Sequence, residues 1–264
     1  MKLCFSTLGC PEKSLDETLK TCKDFGIKYL EIRGFEDVLQ PSTIPDFYPE
    51  NLENTKEKFL KYGVTPISLD LSFCCHEARR SENEITALEN EFKIASALNI
   101  PYIRVFGNRL RDGTKADYED ILYALKGACK MAAAYGLSVL LEVHGDFNNE
   151  TTLKPILDEM KDTINFGLIW DIAHTDLVYK ENWKEFYLFA KPFIKHVHIK
   201  DHKRNPLTHL PVGSGEIPIF DILKCLKNDG FCGCLSLEWE RCWHRELCKL
   251  EEVLGDFISL SKEV

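Results

Sequence analysis

Four segments in the second half of the chain decide the fold: LSVLLEVHGD (137–146), FGLIWDIAHT (166–175), IKHVHIKD (194–201) and GCLSLEWE (233–240). Each is a short apolar run, the mark of a buried strand, and each carries one group that an apolar strand should lack: Glu142, Asp171, His198 and Glu238. An unpaired carboxylate is expensive to bury, so such residues imply a partner, and a cation satisfies several at once. On alternating parity, Glu142 shares a face with Leu140 and His144, and Asp171 shares one with Ile169. His198 falls with His196 and Lys200, and Glu238 with Ser236 and Glu240, while the opposite parity is apolar throughout. The four positions are 29, 27 and 40 residues apart. That spacing puts one ligand on each successive strand–helix unit.

Working outward, strands are predicted at Lys2–Ser6, Tyr29–Arg33, Thr65–Leu71, Tyr102–Phe106, Ser138–Val143, Phe166–Asp171, His196–Lys200 and Gly233–Glu238. Amphipathic helices alternate with them, at Ser14–Phe25, Glu50–Lys61, Glu82–Leu98, Asp117–Tyr135, Leu153–Lys161, Asn182–Ala190, Ile219–Asn228 and His244–Ser261. Ser14 and Glu17 have capping-box spacing, and Gly26, Gly63, Gly136 and Gly230 each stand between a helix and the next strand. Eight such units in 264 residues fit one parallel (β/α)₈ TIM barrel spanning 1–264, a fold of roughly 250 residues. A doubly wound open sheet is the alternative; it lacks support because no GxGxxG follows the first strand. The longest irregular stretches, Gly34–Pro49 and Lys203–Pro218, follow the second and seventh strands, on the end where a barrel places its binding loops.

Composition narrows the function. A formal net charge of −9 opposes nucleic acid as the main partner, because phosphate backbones demand a basic face. No run reaches the roughly 20 apolar residues of a membrane span, and MKLCFSTLGCPEK has no signal-peptide core, so a cytoplasmic location is expected. The eleven cysteines, without CxxC spacing, read as reduced thiols that fill the core.

The four motifs in this order resemble the xylose isomerase-like barrel superfamily, the sugar-phosphate isomerase/epimerase group. The similarity extends to KLCFSTLG in the first strand, YLEIRG in the second, YIRVFGN (102–108) in the fourth and VGSGEIP (212–218) before the eighth helix. It implies a metal site built from Glu142, Asp171, His198 and Glu238, and substrate contacts from His174 and Arg204. One departure stands out: related ketose epimerases carry a further substrate-contacting Glu where this chain has Asn148.

Three carboxylates, one imidazole and no thiolate suit a single divalent ion, Mn²⁺ favoured, with Mg²⁺, Co²⁺ or Zn²⁺ as alternatives. The expected reaction is proton transfer on a sugar, sugar phosphate or related polyol through an enediolate, with Glu142 and Glu238 as acid–base pair. His144, inward and near the mouth, joins His174 and Arg204 as a substrate-binding candidate. His196 is expected one layer deeper, and Glu31 with Arg104 reads as an internal ion pair. An inosose-type dehydratase of the same superfamily is the first rival. An AP endonuclease-like phosphodiesterase and a non-catalytic sugar-binding barrel are more distant ones. A homo-oligomer is compatible with the sequence.

Overall fold

Short apolar strands separated by amphipathic helices cannot pair as hairpins; they pair in parallel and cover one face with the crossover helices. The computed structural model describes residues 1–76, 82–107 and 117–263, without the side chains of 82–87; Asn108 of the YIRVFGN motif lies outside these residues. Strands β1 (Lys2–Ser6), β2 (Tyr29–Ile32), β3 (Thr65–Cys74), β4 (Tyr102–Phe106), β5 (Ser138–Glu142), β6 (Phe166–Asp171) and β7 (Ile194–Ile199) pair in that order. The last barrel strand, β10 (Cys234–Leu237), pairs with both β7 and β1, and every one of these pairings is parallel. The sheet therefore closes into a TIM barrel. The intervening β8 (Asp201–Arg204) and β9 (Leu207–Leu210) form an antiparallel hairpin outside the closed sheet.

The helices are α1 (Leu15–Phe25), α2 (Leu52–Tyr62), α3 (Glu82–Ala97), α4 (Tyr118–Ala134), α5 (Glu150–Met160), α6 (Ile172–Tyr179), α7 (Trp183–Ala190), α8 (Ile219–Asn228) and α9 (Leu250–Glu263). The Ser14–Glu17 capping box opens α1, and Gly26 closes it at φ 69°, a left-handed turn that only glycine adopts freely. Outward-facing strand residues meet the helices in one continuous apolar layer. Trp170 of β6 is its largest fully buried member, with ring centroids 6.3, 6.1 and 5.4 Å from Trp183, Phe186 and Tyr187 of α7.

The barrel interior has a different composition. Cys4, Ile67 and Cys234, with Tyr29 against them, make a small apolar plug separate from the outer layer. Toward the C-terminal ends of the strands the buried residues become Ser6, Glu31, Ser68, Asp70, Arg104, Glu142, Asp171, His196, His198 and Ser236. Apolar packing thus anchors the base while charge fills the end where barrel enzymes keep their chemistry. All eleven cysteines are free thiols. Among the described residues, no helix is long and apolar enough to cross a membrane.

Three local expectations change. An extra helix, α6, follows β6 without a loop, because the Asp171 side chain caps it directly. The last helix begins at Leu250 rather than His244, and residues 239–249 form a loop instead. The stretch 203–218 begins inside a hairpin, with the end of β8 and all of β9, rather than as irregular chain.

That hairpin is tied to the next loop by Asp201. Its Oδ2 accepts from the backbone N–H groups of Gly213 and Gly215 at 2.9 and 2.8 Å, and its Oδ1 from those of His202 and Ile217 at 2.9 and 3.3 Å. The wrap is so tight that a Cβ on Gly215 would lie 2.1 Å from Asp201 Oδ1. The VGSGEIP glycine therefore exists to let backbone approach a buried carboxylate. Asp201→Ala leaves several of these donors unmet, and Gly215→Ala forces the loop off. Each should destabilise the protein by about 2–4 kcal/mol in urea unfolding, a penalty ordinary for lost charged hydrogen bonds or a steric clash. An unchanged midpoint in both variants would show that the loop is held some other way.

Candidate metal centre

Glu142 is the last residue of β5 and Asp171 the last of β6; His198 lies inside β7, and Glu238 directly follows β10. Backbone pairing sets their heights: Asp171 stands opposite His198 in the register, and the Glu238 N–H donates to the Ile199 carbonyl at 3.1 Å. As a result one potential ligand atom from each residue falls within a common 4.8 Å, with all four residues buried. The expected ligand set is thus brought together.

The orientation of each side chain has a visible cause. Asp171 uses Oδ1 to cap α6, accepting from the N–H groups of Ala173 and His174 at 2.9 and 3.1 Å, which turns Oδ2 into the barrel. His198 places Nε2 3.1 Å from Glu31 Oε2. Its Nδ1 then faces Glu238 Oε2 at 3.1 Å, Glu142 Oε1 at 3.6 Å and Asp171 Oδ2 at 4.0 Å. A carboxylate behind the imidazole fixes both its tautomer and its aim, as outer-shell partners do for metal-binding histidines. Glu31 also bonds His196, the deeper histidine of the HxH pair. Glu31 is therefore a histidine partner, not the ion-pair mate of Arg104.

Arg104 instead points Nε at Glu142 Oε2, 3.2 Å away, and an Nη at Asp70 Oδ2, 3.8 Å away, with its guanidinium 4.1 Å over the Phe106 ring. The residue that sequence reading left without a role is Lys200. Its Nζ lies 2.7 Å from Asp171 Oδ2, 2.6 Å from Glu238 Oε2 and 2.7 Å from Glu240 Oε1. Its inward parity beside His196 and His198 was the signal that could have found it.

Does the donor set suit a cation? Glu142 Oε2, Asp171 Oδ2, His198 Nδ1 and Glu238 Oε2 are all buried, and none makes a well-directed hydrogen bond, although Lys200 and Arg104 approach within ion-pair range. The acidic groups Glu31, Asp70, Glu142, Asp171, Glu238 and Glu240 outnumber the fixed cations Arg104 and Lys200. Burial works to raise the Glu142 carboxyl, but Arg104 and His198 outweigh it and hold the group well below the usual range. Burial would lower the His198 imidazole; Glu238 and Glu31 push it well above its ordinary value instead. Asp70 goes up, from burial and then the Glu31 charge. The arrangement behaves as an anionic cage that attracts a proton to His198 when nothing else neutralises it, and a divalent ion fits that demand.

His144 and His174 line the same mouth. Their ring centroids are 4.0 Å apart, and His144 lies 5.0 Å from the Phe106 ring. Burial, then the neighbouring His174, lower the His144 imidazole to about 4, so at neutral pH it is uncharged. His174 Nε2 is 4.0 Å from Asp171 Oδ2. Asn148 donates to the His174 carbonyl at 3.1 Å. Arg204 is not joined to the four ligands. Its guanidinium grips Asp176 at 3.0 and 2.8 Å and Glu181 at 2.6 Å, and His202 bonds Asp176 from the other side at 2.9 Å.

Comparison with known proteins agrees with this architecture. The chain is 26% identical over 272 residues to an inosose isomerase of Halalkalibacterium halodurans, covering 96% of this chain and 93% of the relative. It is 28% identical over 141 residues to an uncharacterized protein of Methanocaldococcus jannaschii, a match spanning 51% of this chain and 47% of that one. Among solved structures, the IolI protein with a bound zinc atom superposes with a TM-score of 0.76 at 25% identity, covering 100% and 96% of the two chains. The family described as xylose isomerase-like TIM barrel matches residues 19–255, most of the sequence. The chain belongs to that xylose isomerase-like TIM barrel family.

Proposed function

We propose that the protein is a divalent-metal-dependent isomerase or epimerase that moves a proton on a sugar, sugar phosphate or related polyol. The observation that carries this reading is the convergence of two buried carboxylates, Glu142 and Glu238, carried by strands three places apart in the barrel, at 3.6 and 3.1 Å from His198 Nδ1. A pair of bases flanking one reaction centre can remove a proton on one side and return it on another. Glu142, Asp171, His198 and Glu238 would hold the ion, which when bound polarises a carbonyl and stabilises the negative charge of an enediolate. The zinc in the IolI structure and the inosose isomerase among the relatives support a metal and a hydroxy-ketone substrate.

The other residues bind and orient. Neutral His144 can donate to one substrate oxygen or accept from another, and His174, its ring tilted against that of His144, extends the same wall. Lys200 holds Glu238 and Asp171 in place through its ammonium group. Arg204 would serve a phosphorylated substrate only by releasing Asp176 and Glu181, so its present pairing favours an uncharged polyol.

Three outcomes follow from these assignments. In D₂O, a panel of ketoses, sugar phosphates and cyclitols should include a compound whose C–H exchanges in the metal-loaded enzyme. Glu142→Gln and Glu238→Gln should each reduce that exchange by at least about 100-fold, the lower range for a positioned acid–base group, with circular dichroism unchanged. Exchange that survives in both variants rules out the acid–base pair, and product analysis separates isomerisation from loss of water.

Glu31→Gln should weaken metal affinity by about 10–100-fold, the usual effect of losing a histidine's outer partner, as read by competition with a chromophoric chelator. Affinity equal to wild type would dissociate Glu31 from the centre.

Metal binding should also release a proton from His198. Because its pKa in the metal-free protein is raised, the ring is protonated at neutral pH, and affinity should climb with pH until that pKa is passed. Calorimetry in buffers of different ionisation enthalpy measures the release directly; a buffer-independent heat would contradict it.

A further inference from the structure

A second group of ligand-type side chains lies at the rim, outside the four-residue centre. His209 belongs to β9, whereas Glu240 and His244 belong to the loop between β10 and α9. One atom from each falls within a common 4.8 Å, and all three residues are partly buried. The His209 and His244 rings are 4.8 Å apart between centroids, and His209 Nε2 is 3.9 Å from Glu240 Oε2. That last separation is too long for a hydrogen bond. Ligands about 2.1 Å from a tetrahedral ion lie roughly 3.4 Å from one another, so small side-chain rotations close the gap.

The scaffold under this group is fixed. His209 pairs with His202 across the hairpin, and His202 is anchored on Asp176 at 2.9 Å. The N–H groups of Trp243 and His244 both donate to the Glu240 carbonyl, at 3.1 and 3.0 Å, making a tight turn that returns His244 to the Glu240 side chain. Lys200 takes Glu240 Oε1 at 2.7 Å, while Oε2 is the oxygen nearer His209. His244 faces Glu246 with Nδ1, at 3.3 Å.

We propose that His209, Glu240 and His244 form a second cation site, specific for a borderline transition ion such as Zn²⁺, Co²⁺ or Ni²⁺. Two imidazoles and one carboxylate favour these ions, whereas Mg²⁺ and Ca²⁺ select oxygen-only ligand sets. Three protein ligands leave at least one position for water or a substrate oxygen. An ion there ties the hairpin to the loop after β10, two segments otherwise far apart in sequence. Through Glu240 it would also share a carboxylate with Lys200, the cation that touches Asp171 and Glu238.

The test is metal stoichiometry on the full-length chain, stripped with chelator and dialysed against Zn²⁺ or Co²⁺. His209→Ala and His244→Ala should each bind one ion fewer per chain than wild type, and the Co²⁺ absorption bands of the lost site should vanish. His244 has 41% of its side chain exposed, so its removal leaves folding intact, which circular dichroism verifies. Mg²⁺ stoichiometry should be the same in all three proteins. If either variant matches wild type in Zn²⁺ and Co²⁺ binding, or if the variants lose Mg²⁺ instead, the proposal is overturned. Loss of the rim ion is distinguishable from failure of the inner centre, because Glu142→Gln removes no rim ligand and should leave the His209- and His244-dependent ion in place.

Discussion

Everything at the top of this barrel is arranged around the two-sided contact of one imidazole. His198 has a carboxylate, Glu31, behind Nε2 and three more, Glu142, Asp171 and Glu238, before Nδ1. Burying that many acidic groups is unfavourable unless positive charge stands among them. Glu142, Asp171, His198 and Glu238 come from neighbouring strands of the closed sheet, β5, β6, β7 and β10, and Glu31 meets them from β2, so closure itself concentrates the charge. An open sheet would splay the same residues along an edge, where water could screen them. Here the fold creates an electrostatic demand that the interior must then satisfy.

Much of this was legible in the chain. Strand parity separates Glu142, Asp171, His198 and Glu238 from their apolar neighbours, and the spacing of one ligand per unit predicts convergence at one rim. Both properties survive in the structure because parallel register leaves little freedom in the height of a strand-end residue. The partner of each side chain was not legible. Glu31 reads as a mate for Arg104, and only the packed interior turns it to His196 and His198 instead. Parity gives the face a residue occupies but not which of two inward neighbours it touches. For the same reason Lys200 went unassigned: its inward position is evident, but its reach to Asp171, Glu238 and Glu240 depends on the width of the barrel mouth.

The loops were the least readable part, and Asp171 and Asp201 show why. Asp171 both faces the centre and caps α6, so one carboxylate replaces the loop that ordinarily separates strand from helix. Asp201 collects the N–H groups of a loop more than ten residues away, a long-range constraint with no local periodicity to announce it. In sequence both appear as ordinary acidic residues at strand ends. Their roles come from backbone donors that only the folded chain brings near.

Lys200 raises a question that the charge arrangement answers. The centre proposed for a divalent ion already contains an ammonium group on two of the same oxygens, Asp171 Oδ2 and Glu238 Oε2. Without some cation the acidic cluster would repel itself, and protonation of carboxylates would follow. Lys200 opposes the effect of burial at Asp171, whose carboxyl is held below its usual range, and it gathers Asp171 and Glu238 around one charge. It would not hold both oxygens at full strength if an ion took them, because each carboxylate has a limited charge to share. Glu240 resolves the competition: its Oε1 lies 2.7 Å from Nζ, on a residue that is not one of the four ligands. Glu240 would remain a partner for the ammonium if an ion occupied the proposed centre. On the proposed metal reading, the Lys200–Glu240 pair would keep the buried lysine partnered if a cation entered the inner centre.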